Sequence, residues 1–411
     1  MIRYLILSLG VDQYAVLAII NSFSVWLMLG DLGFGSTLQN LYTWGRTNEG
    51  AKHQLIRLLI RVQFALVVVG LPCVLLLSPP IGGFLFQSKS STTVDYVFAF
   101  AVSNVIWMIT ATGSINYKLL YAEGKGYLSN LLPAFASFVS LILVSQLTTF
   151  AASPANLFYL AILFVSVPQM LASAWGLLLF LPGSNQTLLQ PESHSSGKMR
   201  LRSISNQAFQ FFLTSILIQA SLNSDYIIMS QISTASEIAE YKIANSFFAF
   251  LYSLVYASLL ILWPYCSTAL VDGRYSLVLR KLRKTIYWGI LSIIVFLVVL
   301  IWLRRPVSLL LTDGEIMINL NLLIAFACLY IARLIGDTFA VALASINKTK
   351  IFLAYLPIQL CMGCALSVWL GMWIGVVGIV IGLLVAFCLT HTWINAWYLY
   401  KLKRGSALCS A

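Results

Sequence analysis

The stretch YAVLAIINSFSVWLMLGDLGFGSTL, residues 14–38, is apolar along nearly its whole length and carries a single charged residue, Asp31. As a helix it is long enough to cross a hydrocarbon core, which takes about 20 residues. Comparable stretches recur throughout a chain with 60% hydrophobic and 9% charged residues, whereas soluble proteins carry about 25% charged residues. Barrel strands would alternate apolar and polar residues, and these stretches do not. The sequence therefore predicts an all-α, polytopic membrane protein.

Hydropathy predicts the positions of the long helices. Their predicted ranges are 14–44, 58–86, 95–117, 127–146, 156–182, 205–231, 236–270, 285–303, 317–345, 351–370 and 374–400. A shorter apolar piece, residues 1–10, precedes them. We interpret this piece as the outer half of a first helix whose inner half is missing here, which gives twelve helices with the first one shortened.

Basic residues concentrate in every second predicted loop. These loops contain Arg46, Lys52, Arg57, Arg61, Lys118, Lys125, Lys198, Arg200, Arg202, Arg274, Arg280, Lys281, Arg283, Lys284, Lys348, Lys350, Lys401, Lys403 and Arg404. The loops between them contain only Lys89, Arg304 and Arg305. Because cytoplasmic loops carry the excess of Lys and Arg, the first set of loops and the carboxyl end are predicted to be cytoplasmic. Topology thus accounts for the net charge of +12, and no nucleic-acid partner is predicted.

The opening stretch has a counterpart in the second half of the chain. Residues 241–270, YKIANSFFAFLYSLVYASLLILWPYCSTAL, share with it a Tyr, Asn-Ser-Phe, a long apolar run and a final Ser-Thr. An even number of predicted helices separates the copies, so the halves would run in parallel about an axis along the membrane normal. The predicted organisation is an N-lobe over 1–183, a polar cytoplasmic linker over 184–200 and a C-lobe over 201–411.

Both copies resemble a known transporter family. Residues 14–38 are similar to the second helix of O-antigen flippases, which typically read LG-x-x-x-YG followed by a DLGLG-like motif, here DLGFG. The second half has the matching AEYKIANSF, with Pro264 near the end of the same predicted helix. These flippases form the polysaccharide transport branch of the multidrug/oligosaccharidyl-lipid/polysaccharide exporter superfamily. The chain departs from the pattern in its short first helix and in Ala15, where the family often has Gly.

The resemblance implies a fold, a function and a set of partners. The fold would be two pseudo-repeated six-helix lobes around a central, alternately exposed cavity. The protein would not be an enzyme; it would move undecaprenyl-diphosphate-linked oligosaccharides from the cytoplasmic to the periplasmic leaflet of the bacterial inner membrane. Membrane lipids, an O-antigen polymerase and a chain-length regulator would be its partners, without a cofactor.

Cations inside predicted helices are candidates for binding the diphosphate, because an anionic headgroup cannot enter hydrocarbon unpaired. Arg333 is the deepest, and its guanidinium suits two-pronged phosphate contact. Asp337 lies one turn further on, so a structural ion pair or a gating role is an alternative. Lys242 and Arg3 are the other cations, and snorkelling to the interface is the plainer account of Lys242.

Buried acids and amides form a second set of candidates. Asp31, Asp225 and Asp337 are interpreted as groups that bind a coupled proton or Na⁺ or that gate transport. Asp31 could equally hold a bend at Gly33 and Gly35, with Pro264 as a bend in the second half, and Asp225 could make a polar contact between helices. Amides for cavity contacts with sugars are Asn21, Asn104, Asn116, Asn245 and Gln219.

Two other functions remain open from the sequence. A multidrug cation antiporter of the same superfamily would favour acids over cations in its cavity. A membrane-embedded polysaccharide polymerase would need a large outer loop or catalytic His and carboxylates. Of the three histidines, only His391 lies in a predicted span, and it is expected to be a packed or interfacial histidine. Cys361 and Cys364 have CxxC spacing without a second Cys or His pair nearby, so no metal site is predicted.

Overall fold

A computed structural model describes residues 1–27, 49–86, 94–122, 125–150, 154–178, 201–346, 348 and 350–409. Within these ranges the chain is helical apart from short turns, which confirms the predicted all-α class. The helices are α1 (Ile2–Leu27), α2 (Glu49–Phe86), α3 (Tyr96–Ala122), α4 (Gly126–Ser145), α5 (Leu147–Phe150), α6 (Pro154–Leu178), α7 (Leu201–Ile232), α8 (Ala235–Val271), α9 (Tyr275–Thr312), α10 (Leu320–Ser345), α11 (Lys350–Ile374), α12 (Val376–Leu389) and α13 (His391–Cys409). These described residues contain ten candidate membrane spans.

The outer surface of the helices has the composition of a surface that faces lipid. Leu76 is 75% exposed, Trp302 82% and Trp373 79%. Soluble proteins rarely expose contiguous apolar surface of this kind. Together with the lengths of the apolar helices, these side chains identify a multi-pass membrane protein.

The first helix is interrupted close to its start. Gly10 has φ 78° and ψ 167°, a backbone conformation that glycine adopts at little cost, and helical geometry resumes directly after it. The predicted start of the next helix at residue 14 was therefore too late. Hydropathy misplaced it because Asp12 and Gln13 are polar, although both lie in the helix. Residues 28–44 of the predicted helix lie outside the described residues.

The final predicted helix, 374–400, coincides with one candidate membrane span, Val376–Arg404, in which two helices meet at Thr390. Gly375 has φ 66° and forms the turn before α12, and Thr390 interrupts the helix with φ −124° and ψ −80°. The Thr390 hydroxyl lies 2.7 Å from the carbonyl oxygen of Ala386 and 3.0 Å from Oε1 of Gln359. Side-chain hydroxyls that bond to helix carbonyls compete with the backbone pattern, and hydropathy does not detect this competition.

The chain forms two compact units, Arg3–Gln219 and Ala220–Ala411. In the first unit, α3 packs against α2, α4 and α6. α3 and α6 meet closely at Gly113, where an added Cβ would lie 2.6 Å from Oγ of Ser173. The predicted linker, 184–200, lies outside the described residues, and the predicted domain boundaries stay predictions.

In the second unit, α10 is the central helix and packs against α8, α9, α12 and α13. A capping box starts α8: the Thr234 hydroxyl accepts from the backbone N–H of Glu237, whose carboxylate accepts from the backbone N–H of Thr234. This arrangement satisfies free N–H groups at the helix start. It therefore defines where α8 begins after the turn from α7.

Candidate functional site

The polar interior of the second unit is built where α8 faces α10. Tyr241, Asn245, Phe248 and Tyr252 follow one another along α8 at spacings of four, three and four residues, so they share one face of the helix. The ring of Phe248 stacks on that of Tyr330 of α10, with ring centres 6.0 Å apart. The hydroxyl groups of Tyr241 and Tyr252 each donate to a buried or half-buried carboxylate. We call these residues of α8 together with Tyr330 the aromatic seam. Its hydroxyl groups bring polar contacts into an otherwise apolar unit.

Arg333 and Asp337 form an ion pair one helical turn apart on α10. Nε of Arg333 lies 3.2 Å from Oδ2 of Asp337. The guanidinium carbon lies 4.4 Å from the ring centre of Tyr252 and 5.8 Å from that of Tyr330, and aromatic faces attract a cation in this way. The two charged side chains are 25% and 20% exposed. The pair is therefore partly accessible and is held among aromatic rings.

Asp337 accepts hydrogen bonds from side chains on three helices. Tyr252 of α8 and Arg333 of α10 both donate to Oδ2. Nε2 of His391, on α13, lies 2.8 Å from Oδ1. An ionised carboxylate has enough lone pairs on its two oxygens to accept all of these bonds. Asp337 is thus the point at which α8, α10 and α13 are joined by polar contacts.

His391 is packed in the interior, one of the two positions that the sequence left open for it. Its ring is buried, with Nδ1 lying 2.8 Å from the hydroxyl oxygen of Tyr355 on α11. That hydroxyl accepts a hydrogen bond of 3.0 Å from Nδ2 of Asn395. His391 and Asn395 are one turn apart on α13, and this spacing was the signal in the sequence that the two act together. Tyr252 and Tyr355 carried no such signal, because each meets its partner only through packing of distant helices.

Arg333 retains hydrogen-bonding capacity beyond the ion pair. A guanidinium has five N–H donors, one on Nε and four on the terminal nitrogens. The bond to Asp337 uses Nε, and among the described residues no acceptor lies within bonding distance of Nη1 or Nη2. These two nitrogens present the two-pronged edge that binds carboxylate and phosphate groups. The arrangement is therefore suited to holding an anion from outside the protein.

Asp225 lies in a second cluster on α7 and α8. It is 2% exposed, accepts from the Tyr241 hydroxyl and accepts a bond of 2.8 Å from the backbone N–H of Tyr226. Nζ of Lys242 lies 5.3 Å from the ring centre of Tyr226. Asp225 therefore joins α7 to α8 through Tyr241, which is the interhelix contact that the sequence left open, and Lys242 supplies a cation beside it.

The other predicted residues lie in several places. Asn245 accepts a bond of 2.8 Å from the Tyr330 hydroxyl and so belongs to the aromatic seam. Asn116 is buried in the first unit, where Oδ1 accepts a bond of 3.2 Å from Gln63 and Nδ2 has no partner among the described residues. Arg3 is half-buried in α1. Asp31, Gly33 and Gly35 lie outside the described residues. Pro264 lies within α8, but its side chain is not described, so its bend stays a prediction.

Comparison with known proteins gives matches over most of the chain. Residues 211–369, which include Asp225, Arg333 and Asp337, match the MatE family. A protein of Yersinia pseudotuberculosis, whose name refers to O-antigen export, is 28% identical over 381 residues that cover 90% of this chain and 84% of the relative. The resemblance to O-antigen flippases drawn from short motifs is therefore confirmed.

Solved structures give the fold. An inward-facing multidrug resistance MATE family transporter of the MOP superfamily has a TM-score of 0.71 at 12% identity, covering 98% of this chain and 94% of that chain. The lipid II flippase MurJ in an inward closed conformation has a TM-score of 0.66 at 16% identity, covering 99% of this chain and 87% of that chain. At these identities the likeness shows the fold alone, which is the predicted two-lobe pseudo-repeat.

Proposed function

We propose that this chain, a multi-pass membrane transporter with the fold of the multidrug/oligosaccharidyl-lipid/polysaccharide exporter superfamily, moves lipid-linked O-antigen units across the bacterial inner membrane. The substrate would be an undecaprenyl-diphosphate-linked oligosaccharide, carried from the cytoplasmic to the periplasmic leaflet by alternating access. The name of the Yersinia pseudotuberculosis relative supports O-antigen export. The fold shared with a lipid II flippase supports a lipid-linked substrate.

The observation that carries the proposal is that the guanidinium of Arg333 bonds to Asp337 through Nε only. A charged residue within a span costs about 2.5–3.5 kcal/mol on insertion scales, so its presence calls for a reason. Pairing with Asp337 supplies a counter-charge through a single bond from Nε and leaves Nη1 and Nη2 for another acceptor. A diphosphate offers oxygens at the spacing that such an edge binds. Arg333 is therefore proposed as the cation that meets the diphosphate headgroup.

Driving force and topology complete the proposal. An inside-negative membrane potential moves anions outward, by about 2.3 kcal/mol per charge per 100 mV. Export of a diphosphate headgroup thus gains free energy without a coupled ion, and a proton or Na⁺ bound at Asp225 or Asp337 would add to it. The carboxyl end is proposed to be cytoplasmic, with an O-antigen polymerase and a chain-length regulator acting on the exported unit.

The test is complementation of a strain that lacks its own O-antigen flippase but has the cognate sugar genes. The chain is expected to restore surface polysaccharide, and Arg333→Ala is expected to lower the rate about tenfold, since a hydrogen bond to a charged group contributes about 1.5–3 kcal/mol. Arg305→Ala is the matched control, because Arg305 is an exposed arginine on α9. Lipid-linked units that stay in the cytoplasmic leaflet, with the protein verified in the membrane, would reject the proposal.

A second candidate is export of cationic drugs in exchange for a proton or Na⁺. The MatE match and the TM-score of 0.71 to a multidrug transporter favour it. In this function Asp225 and Asp337 would bind the cations, and Arg333 would oppose their binding. Drug resistance conferred by the chain in a sensitive strain, abolished by Asp337→Asn but unchanged by Arg333→Ala, would favour this candidate over the flippase.

A further inference from the structure

The imidazole of His391 lies against α10 at a position where residue 336 is a glycine. A Cβ added to Gly336 would lie 2.0 Å from Cδ2 of the imidazole and 2.7 Å from Nε2. No side chain larger than hydrogen fits at this position while the ring stays where it is. Gly336 immediately precedes Asp337 in the sequence. The glycine therefore lets an imidazole on α13 approach α10 closely and reach the carboxylate of Asp337.

The hydrogen bonds around the imidazole have a defined direction. Oδ1 of an ionised Asp337 can only accept, so in the neutral ring Nε2 carries the hydrogen and donates. Nδ1 is then the acceptor for the Tyr355 hydroxyl, 2.8 Å away. Nδ2 of Asn395 donates in turn to the same hydroxyl oxygen. His391 and Asn395 are 3% and 0% exposed, so the chain of bonds that holds the imidazole lies in the interior.

The consequence for Arg333 follows from the geometry of carboxylate pairing. A free carboxylate and a guanidinium prefer a two-pronged pair, in which two parallel N–H groups meet both oxygens. His391 takes Oδ1, and Arg333 is left with Oδ2 through its Nε atom. A two-pronged pair would consume a terminal nitrogen of the guanidinium. By donating to Oδ1, the imidazole holds the carboxylate in the orientation in which Arg333 meets Oδ2 through Nε alone.

We propose that His391 is a positioning residue for anion binding: by donating to Oδ1, it holds Asp337 in the orientation that leaves the terminal nitrogens of Arg333 available to a lipid-linked diphosphate. The proposal rests on the proposed function, because it assigns His391 a role in the same site. Tyr355 and Asn395 act one step further out, by fixing the ring and the nitrogen that donates. His391 touches no substrate in this scheme and acts through Asp337 and Arg333.

The test is a double-mutant cycle on the full chain in lipid nanodiscs, with undecaprenyl diphosphate as the probe and its dissociation constant as the readout. Arg333→Ala and His391→Ala are each expected to weaken binding about tenfold, within the coupling range of residues that share one network. In the Arg333→Ala background, His391→Ala is expected to cause no further loss. His391→Gln is expected to retain most of the affinity, because its amide can replace the Nε2 donor to Asp337.

The outcomes separate the two proposals. If Arg333→Ala leaves binding unchanged, Arg333 does not hold the diphosphate, and the proposed site fails together with this inference. If Arg333→Ala weakens binding but His391→Ala does not, the substrate site stands and the inference is overturned. The inference is equally overturned if His391→Ala costs the same factor with and without Arg333, because that result would show a general structural effect.

A pair of glycine variants provides an independent test of the role of His391. Gly336→Ala is expected to displace the imidazole and to weaken binding of the same probe about as much as His391→Ala. Gly363→Ala on α11 is the control, since its added Cβ would lie 3.5 Å from the nearest side chains, an ordinary contact. Equal affinities for the two glycine variants, with both proteins folded, would contradict the proposal.

Discussion

Asp337 shows how a charged residue is accommodated inside a helix that crosses the membrane. Its two oxygens accept bonds from Arg333, Tyr252 and His391. Each donor comes from a different helix, so the charge is both neutralised and used to connect α8, α10 and α13. Removing one partner of such a pair lowers the free energy of unfolding by more than the intact pair contributes to it. The reason is that the other charge is left buried and unpaired.

Asp337→Asn should therefore destabilise the protein strongly. The variant leaves the guanidinium of Arg333 without a counter-charge, and the expected loss is about 3 kcal/mol, the lower end for a buried pair, because the side chains are partly exposed. Thermal unfolding of the detergent-solubilised protein measures the effect. Glu315→Gln is the control, since Glu315 is an exposed acid in the turn before α10. A melting temperature for Asp337→Asn as high as that of the control would contradict the role of the pair.

Tyr241→Phe tests the second cluster. The change removes the hydroxyl that donates to Asp225 and leaves a buried carboxylate oxygen with one fewer donor. The expected loss of stability is about 1–3 kcal/mol, the penalty for a buried group whose partner is deleted. Tyr287→Phe, at an exposed tyrosine on α9, should change stability little. The two variants are compared by chemical denaturation, and equal midpoints would show that the bond to Asp225 contributes nothing.

The sequence allowed part of this site to be predicted. Arg333 and Asp337 are charged residues in an apolar run at i, i+4 spacing, so their pairing could be anticipated from helix geometry alone. His391 is 54 residues from Asp337, and one sequence provides no means of pairing two helices. Contacts between residues of one helix could therefore be predicted from the sequence. Contacts between residues of different helices could not.

At the scale of elements, glycine controls how closely α11 and α12 approach. An added Cβ at Gly378 would lie 2.1 Å from the carbonyl oxygen of Leu370, and one at Gly382 would lie 2.5 Å from the backbone nitrogen of Ser367. Small residues at such contacts allow helix backbones in membranes to pack closely. The Ser367 hydroxyl then reaches the carbonyl oxygen of Ile379 at 2.9 Å.

Gly378→Ala should separate the two helices. The new methyl group would collide with backbone, which cannot rotate away as a side chain can, and overpacking of this kind costs about 1–3 kcal/mol. Gly83→Ala in α2 is the control, because nothing lies within 4 Å of its added Cβ. Thermal unfolding in detergent is expected to show a lower midpoint for Gly378→Ala only. A shift of the same size in both variants would indicate a general effect of replacing helix glycines.

The ends of the elements were predictable to different degrees. Predicted helices 95–117, 127–146 and 317–345 lie close to α3, α4 and α10, because polar or turn residues bound each apolar run. The prediction for 374–400 located the span but not its interruption at Thr390, whose hydroxyl bonds to carbonyl groups inside an apolar stretch. Hydropathy averages composition over a window, so it locates spans well and interruptions within them poorly.

At the scale of the whole molecule, each unit has a helix that packs against several others and holds polar groups in its interior. α3 holds this place in the first unit, with Asn116 bonded to Gln63. α10 holds it in the second unit, with Arg333 bonded to Asp337. The central helices of the two units therefore carry different polar groups: a neutral amide on α3 and an ion pair on α10.

The distribution of basic loops predicts the orientation of the whole chain. A green fluorescent protein fused after Arg404 should fluoresce, and alkaline phosphatase fused at the same point should be inactive, because the carboxyl end is proposed to be cytoplasmic. Fusions after Asp313, in the turn between α9 and α10, should give the reverse pattern. Active phosphatase after Arg404 would overturn the proposed orientation.

The interruption at Thr390 determines where the last helix starts. α12 has 14 residues, so it is about 21 Å long and ends before it can cross a hydrocarbon layer of about 30 Å. The last helix therefore begins at membrane depth, and its first residue is His391. Removing the interruption, as in Thr390→Ala, is expected to turn the first residue of that helix and to weaken the 2.8 Å bond between His391 and Asp337.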